Sequence, residues 1–390
     1  MTTTLENTKV TSSTQRNLVL VSGYYGFDNL GDEAILEEIC AELKQLVSAD
    51  DIVILSNSPS TTSSRFGVRA VDRWSFPGLI KLLPRTKLFI SGGGGLFQDI
   101  VSTRSPIFYG LQIILARRLG AQTLCYAQGI GPLSTYVGEW AAQLAFKSCD
   151  RIIVRDKGSL KVVQSWNLPA ELTADPVWRL EAKPVPGAIT EQVAQARQTE
   201  GELIGLSLRS HKQFGAEELP LLARAMHAAL PEKARIVPIA LHPVQDNEIL
   251  DQFIRIWEQH RPGAVARISS AEIERPSQWI TYLSQLDMLV GMRLHANIMA
   301  LKSGVPTVLI TYDPKVAQVA EQFNAPTLNI TNYGGAEGGL HIWSDTLKQA
   351  VRDREALSKT ARERAEAARN LACQNFDILA RILSMQSDSN

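Results

Sequence analysis

The segment GMRLHANIMALKSGVPTVLITYDPK, residues 291–315, sets Arg293, His295 and Lys315 at the edges of an otherwise apolar pattern. Two more arginines stand in matching places: Arg155 in the run RIIVRD and Arg209 in LIGLSLR. All five fall just past the C-terminal end of an expected strand. A guanidinium holds a carboxylate or phosphate through paired hydrogen bonds. A lysine adds a compact positive charge, and a histidine moves protons near neutral pH. Taken singly, each has an ordinary reading, since an arginine after a strand is commonly a surface or ion-pair residue. Their shared position at one sheet edge lifts the five above that reading, as groups able to hold a carboxylate or phosphate at the cleft. His211, His227, His242, His260 and His341 keep a structural reading. The sequence has no H-E-x-x-H and no D-x-D triplet, so no metal site is expected.

The elements that must position these residues alternate in type. NLVLVSG (17–23), DIVILSN (51–57), KLFISGGGGLFQD (87–99), QTLCYAQGIGPL (122–133) and RIIVRD (151–156) contain apolar or β-branched strands, separated by stretches of helical period. ELIGLSLRS (202–210), RIVPIALHP (235–243), DMLVGMR (287–293) and PTVLITY (306–312) repeat the plan. Continuously apolar strands alternating with helices mark a parallel sheet covered on both faces. The expected fold class is therefore α/β, with two Rossmann-like domains over 17–180 and 201–343. A polar, proline-containing linker is expected at 181–200, a disordered leader at 1–16 and a helical tail at 344–390. Two such halves facing each other place a ligand cleft between the carboxyl ends of their strands.

Three glycine-rich loops reach that edge. GYYGFDNLGDEA (23–34) follows the first strand and opens a helix, but its spacing is neither G-x-G-x-x-G nor that of a Walker loop. Glycine admits close backbone approach, and a helix N-terminus offers free N–H groups to an anion. The plain alternative is a tight turn with Asn29 and Asp32 as caps. SGGGGLFQD (91–99) is sharper. Each glycine costs a helix about 1 kcal/mol relative to alanine, so ligand contact or tight packing must offset the run. AQGIGPL (127–133) is a third rim loop. Gly26, Asn29, Gly93, Gly94 and Gln128 are the expected loop contacts.

Composition narrows the function classes. The chain has 390 residues, too many for one ordinary core. Lys+Arg and Asp+Glu number 40 each, so no basic excess argues for nucleic acid as a partner. None of the four cysteines forms a C-x-x-C pair, which suits a reducing compartment. The start MTTTLENTKVTSSTQRN has no apolar segment of signal-peptide type, and no run is long and apolar enough to span a bilayer. A cytoplasmic protein is expected, and a peripheral contact with the inner face of the plasma membrane is compatible with it. Nothing in the sequence specifies an oligomer.

GYYGFDNLGDEAIL, SGGGGLFQD, AQGIGPL, VRDKGSL, ADPVW, SLR and GMRLHANIMALKSGVPTVLITYDPKV occur in that order. As an ordered set spanning about residues 17–330, they resemble the polysaccharide pyruvyl transferases, particularly the bacterial cell-surface anchoring (CsaB-type) members. The resemblance implies a GT-B-like pair of Rossmann-like domains with the active site in the interdomain cleft. It implies transfer of a pyruvyl group from phosphoenolpyruvate to two hydroxyls of one sugar, forming a cyclic ketal. Phosphoenolpyruvate would be a co-substrate, with no other cofactor. In CsaB-type members the acceptor is typically an N-acetylmannosamine unit of a lipid-linked cell-wall glycan. Arg155, Arg209, His295 and Lys315 match positions holding the family's active-site roles, with His295 and Arg209 as the catalytic candidates. Tyr24 or Tyr25 matches a donor contact, and Arg293 either helps to hold the donor or stands behind those that do. Whether His295 acts as acid, base or both stays open, as do the acceptor sugar and the hydroxyl pair. The rival is a GT-B-type glycosyltransferase using a nucleotide sugar, which shares the cleft, the glycine loops and a phosphate-binding arginine.

Overall fold

The computed structural model describes residues 16–387, apart from 101, 199–200, 213, 216 and 332–334. The leader expected at 1–16 therefore lies outside the described residues, except for Arg16. The first half builds β1 (Leu18–Ser22), β2 (Ile52–Ser56), β3 (Arg69–Asp72), β4 (Thr86–Ser91), β5 (Gly94–Phe97), β6 (Gln122–Ile130), β7 (Arg151–Val154) and β8 (Glu171–Leu172). These form one sheet in the order β3-β2-β1-β4-β6-β7-β8, with β5 paired to β6. Its helices are α1 (Leu30–Leu43), α2 (Pro59–Phe66), α3 (Phe76–Leu82), α4 (Arg104–Arg118), α5 (Tyr136–Lys147) and α6 (Lys157–Ser165).

A short connection containing α7 (Gly187–Arg197) leads to the second sheet. Its strands are β9 (Leu203–Ser207), β10 (Arg235–Pro238), β11 (Met288–Gly291), β12 (Thr307–Thr311) and β13 (Thr327–Asn329), in the order β10-β9-β11-β12-β13. The helices are α8 (Glu218–Ala229), α9 (Pro243–His260), α10 (Pro276–Leu283), α11 (Leu294–Lys302), α12 (Pro314–Phe323), α13 (Gly335–Arg352) and α14 (Arg354–Ser387). Every strand pair in both sheets is parallel. The fold is α/β with two Rossmann-like domains, as the alternation of apolar runs implies.

Strand order reverses between β1 and β4 in the first sheet and between β9 and β11 in the second. At such a switch the loops diverge above and below the sheet and leave a crevice. The first two glycine loops leave β1 and β4. Arg209 leaves β9, and Arg293 and His295 leave β11. The stretch read as a linker is not a free tether: α7 buries Ile189 and Val193 in a core shared by both halves. That core joins Ile35 and Ile39 of α1 to Ile298 and Met299 of α11. The tail is also committed to the fold. Asn375 of α14 accepts a hydrogen bond from Thr173 Oγ1 (2.6 Å) and donates to Ala174 O (3.0 Å), tying the last helix back across the first domain. The two domains thus meet with their strand ends facing.

Candidate active site

Four elements carry the site. β7 ends at Val154 and presents Arg155, and the turn 173–178 presents Asp175. The first turns of α11 and α12 present His295 and Lys315 from the other domain. Asp175 is the hub. Its Oδ1 accepts from Val177 N at 3.0 Å, which fixes the carboxylate at the head of a short 3-10 turn. Its Oδ2 accepts from Arg155 Nη1 at 2.5 Å, both side chains being 5% exposed. The same oxygen stands 3.4 Å from His295 Nε2 across the domain boundary. That spacing is an ion-pair distance without hydrogen-bond alignment, and Nε2 has no hydrogen-bond partner among the described residues. Burial alone would raise Asp175, but the charges of Arg155 and His295 outweigh it and hold the carboxylate well below its ordinary range. Asp175 therefore stays ionised beside the imidazole.

Asp32 joins from the opposite side. It lies in the first turn of α1, buried, where Asn29 Nδ2 donates to its Oδ2 at 2.5 Å. Burial raises it to about 6, while His295 and Arg155 pull it down. The glycine loop after β4 closes over both ends of the cluster. A Cβ built on Gly94, whose φ is +108°, would lie 2.8 Å from Asp32 Oδ1; one on Gly95 would lie 3.0 Å from Lys315 Nζ. At Gly94 the positive φ and the nearby carboxylate both call for glycine, while at Gly95 a side chain would press on the lysine head. Burial and the neighbouring Arg155 push the Lys315 ammonium down to about 8. A cavity of about 690 Å³ opens beside Arg155, Asp175 and Lys315, with exposed Lys157, Lys161 and Arg364 further out in its wall.

Gly31 seats the histidine. Any side chain there would collide with the imidazole Nδ1 of His295. The variant Gly31→Ala is expected to fold and to lose about tenfold in turnover, as a displaced acid–base group costs about 1.4 kcal/mol per factor of ten. Steady-state kinetics beside a circular dichroism spectrum check this; unchanged turnover would show that His295 tolerates displacement.

Arg155, His295 and Lys315 thus converge. The other expected residues take different places. Arg209 donates to Tyr312 Oη at 3.3 Å and lies over that ring at 5.7 Å, two residues before Pro314 and α12. Arg293 does not face the cleft as a free cation. Its Nε donates to both oxygens of Asp246 at 3.0 and 3.1 Å, and Asp246 also accepts from Leu241 N and His242 N. This buried pair holds the loop after β10, and that loop accepts from Leu30 N at 2.9 Å through Leu241 O.

Tyr25 is likewise not a surface contact. It is fully buried in the core, and side chains at Gly23 or Gly92 would collide with it, so those glycines make room for a ring. Tyr24 is half-buried and stacked on Phe27 at 4.2 Å. Gly26 N donates to Glu33 at 2.7 Å in a turn with φ +77°. Asn29 precedes α1 but makes no side-chain cap bond, because its amide serves Asp32. Gly93 packs on Ile35. Gln128 is buried, donates to Gly94 O at 2.8 Å, and has no partner for Oε1 among the described residues. Asp32 and Asp175 are the two carboxylates of this cluster that the charge pattern did not single out. Their signals were present in GDEA and ADPVW, but a carboxylate in the first turn of a helix reads first as a cap.

The family model for polysaccharide pyruvyl transferase matches residues 29–314, which include Asp32, Arg155, Asp175, Arg209 and His295. No curated protein matches the chain. Among solved structures, Anabaena HepE in complex with UDP and glucose is similar at a TM-score of 0.61 and 12% identity, over 95% of this chain and 98% of that one. A UDP-N-acetylglucosamine 2-epimerase from Neisseria meningitidis bound to UDP-GlcNAc is similar at 0.61 and 12%, over 94% and 100%. A putative UDP-N-acetylglucosamine 2-epimerase from Listeria monocytogenes is similar at 0.61 and 13%, over 96% and 98%. At these identities the likeness is one of fold, and it is GT-B-like.

Proposed function

The chain belongs to the polysaccharide pyruvyl transferase family, and on that premise we propose that it moves a pyruvyl group from phosphoenolpyruvate onto two hydroxyls of one sugar of a cell-surface glycan, forming a cyclic ketal. One observation supports the choice of donor: Arg155 and Lys315, from different domains, line one cavity with Asp175, and His295 stands 3.4 Å from that carboxylate. Phosphoenolpyruvate carries a carboxylate and a phosphate on one carbon, C2, which suits two cations in one buried wall. A proton added to C3 makes C2 an oxocarbenium-like electrophile. A sugar hydroxyl adds to C2 and gives up its proton. The C2–O bond to phosphate then breaks, and the second hydroxyl closes the ketal with loss of its own proton. One proton is taken up at carbon, two leave the sugar, and the remaining one goes out with phosphate. In this reading His295, beside the ionised Asp175, exchanges these protons, and Asp32 is the second group able to do so near neutral pH. The cations stabilise charge on the departing phosphate.

The acceptor is proposed as an N-acetylmannosamine-type unit of a lipid-linked precursor. Mass spectrometry of candidate glycans incubated with phosphoenolpyruvate should find products heavier by pyruvate less water. The complexes of HepE and the epimerase with UDP or a UDP-sugar favour a second reading, a nucleotide-sugar glycosyltransferase. Calorimetry separates them: binding of a UDP-sugar without binding of phosphoenolpyruvate would overturn the pyruvyl reading.

Lys315 makes the donor step pH-sensitive. Its buried ammonium, lowered to about 8, loses its proton as pH rises past that value. The kcat/KM for phosphoenolpyruvate, which reports the free enzyme, is expected to fall above about pH 8. The variant Lys315→Arg, charged throughout that range, should flatten this alkaline limb even where its overall rate is lower. An unchanged limb would assign the fall to another group.

A further inference from the structure

The outer faces of α4 and α5 have the wrong polarity for helices left in water. The exposed residues of α4 are Arg104, Ile107, Leu111, Arg117 and Arg118, with Arg117 paired to Asp150; those of α5 are Tyr136, Val137, Glu139, Trp140, Leu144 and Lys147. Surface helices ordinarily turn polar residues outward, yet Tyr136 is 83% and Trp140 54% exposed. The two stripes form one surface. A Cβ built on Gly110 would meet Ala145 Cβ at 3.1 Å, so the helices are in close contact between them. Trp74, 61% exposed, extends the patch by packing on Phe108 at 5.2 Å. Apolar exposure of this extent marks an interaction site.

We propose that this face docks on an anionic lipid bilayer. The charge pattern selects that occupant. α4 has no Asp or Glu and three arginines, and α5 has one glutamate, which accepts from Trp166 Nε1. Exposed Arg104, Arg118 and Lys147 stand at the ends of the apolar stripes, where they reach phosphate headgroups while tryptophan and tyrosine sit at the interface. A second copy of the chain is disfavoured, because a two-fold pairing of this face sets like charges against each other. The position is useful. α4 and α5 follow β5 and β6, and Asp99, just past β5, accepts from Ser134 N and Thr135 N at 2.7 Å, fixing the start of α5 at the same edge as the cleft. The N-terminal ends of the docked helices would then lie at the strand-end edge that carries the cleft, from which a lipid-borne acceptor would be offered.

The full chain should be sedimented with vesicles of phosphatidylcholine alone and of equal parts phosphatidylcholine and phosphatidylglycerol. Binding is expected to the anionic vesicles, weakened by salt, with a blue shift of tryptophan emission. The Leu111→Ser, Trp140→Ser double variant removes apolar area at solvent positions and should bind at least ~10-fold more weakly with an unchanged circular dichroism spectrum. Absence of vesicle binding by the full chain, or binding that the double variant retains, overturns the proposal. So does a solution dimer that the double variant dissociates, since that would make the face a self-interface. The readout needs no turnover, so it stands apart from the pyruvyl-transfer reading.

Discussion

Replacing His295 by alanine is expected to lower turnover at least ~100-fold, the usual scale for removal of an acid–base group, with folding intact. The imidazole is partly exposed, and its deletion leaves Asp175 still paired with Arg155 and still accepting from Val177 N. The loss should fall on kcat, with the KM for phosphoenolpyruvate little changed, because the cations that hold the donor remain. His295→Gln, which keeps a polar group of similar reach but cannot shuttle a proton, should be as slow as His295→Ala. Turnover within a few-fold of the parent in either variant would remove His295 from the chemistry and leave Asp32 as the leading proton-transfer group.

Asp175→Ala is expected to damage stability as well as rate. The substitution leaves the buried Arg155 guanidinium with Asp156, 4.0 Å from its Nε, as its remaining ion-pair partner among the described residues, and breaking a buried pair by removing one partner costs up to about 3–5 kcal/mol. Loss of the turn-capping oxygen adds about 1 kcal/mol. Thermal or denaturant unfolding should show a clear drop in midpoint. The diagnostic comparison is the double variant Arg155→Met, Asp175→Ala. Removing both charges relieves the poorly paired cation, so this protein should be more stable than Asp175→Ala alone although equally inactive. A double variant less stable than Asp175→Ala would mean that Asp175 acts mainly through the cap and that the pair with Arg155 carries little energy.

The contrast between Arg155 and Arg293 shows why position along the chain is a partial guide. Both arginines end an apolar strand; Arg155 read as a donor ligand, and Arg293 as a donor ligand or a residue standing behind one. Arg155 is paired at the cavity wall, whereas Arg293 is held by Asp246. The difference rests on which carboxylate lies nearest in space, and Asp246 arrives on a different helix. Tyr25 fails for a related reason. In an alternating loop either of two adjacent tyrosines can face out, and packing against Gly23 and Gly92 turned this one inward. Asp32 was legible only as a cap and Asp175 only as part of ADPVW, because their partners come from elements far away in the chain.

What the sequence determined by itself is local and periodic. Apolar strands alternating with helices require parallel sheets buried on both faces, and glycine runs after strands require close backbone approach at one edge. These suffice for two Rossmann-like halves with charged residues along facing rims. Only the tertiary structure decided which charges meet. The Asp175 carboxylate shared by Arg155 and His295, the seating of His295 on Gly31, and the burial that lowers Lys315 all arise at the boundary between domains. Ion pairing and desolvation depend on distance and on exclusion of water, and no spacing within a strand or helix encodes either quantity across two sheets.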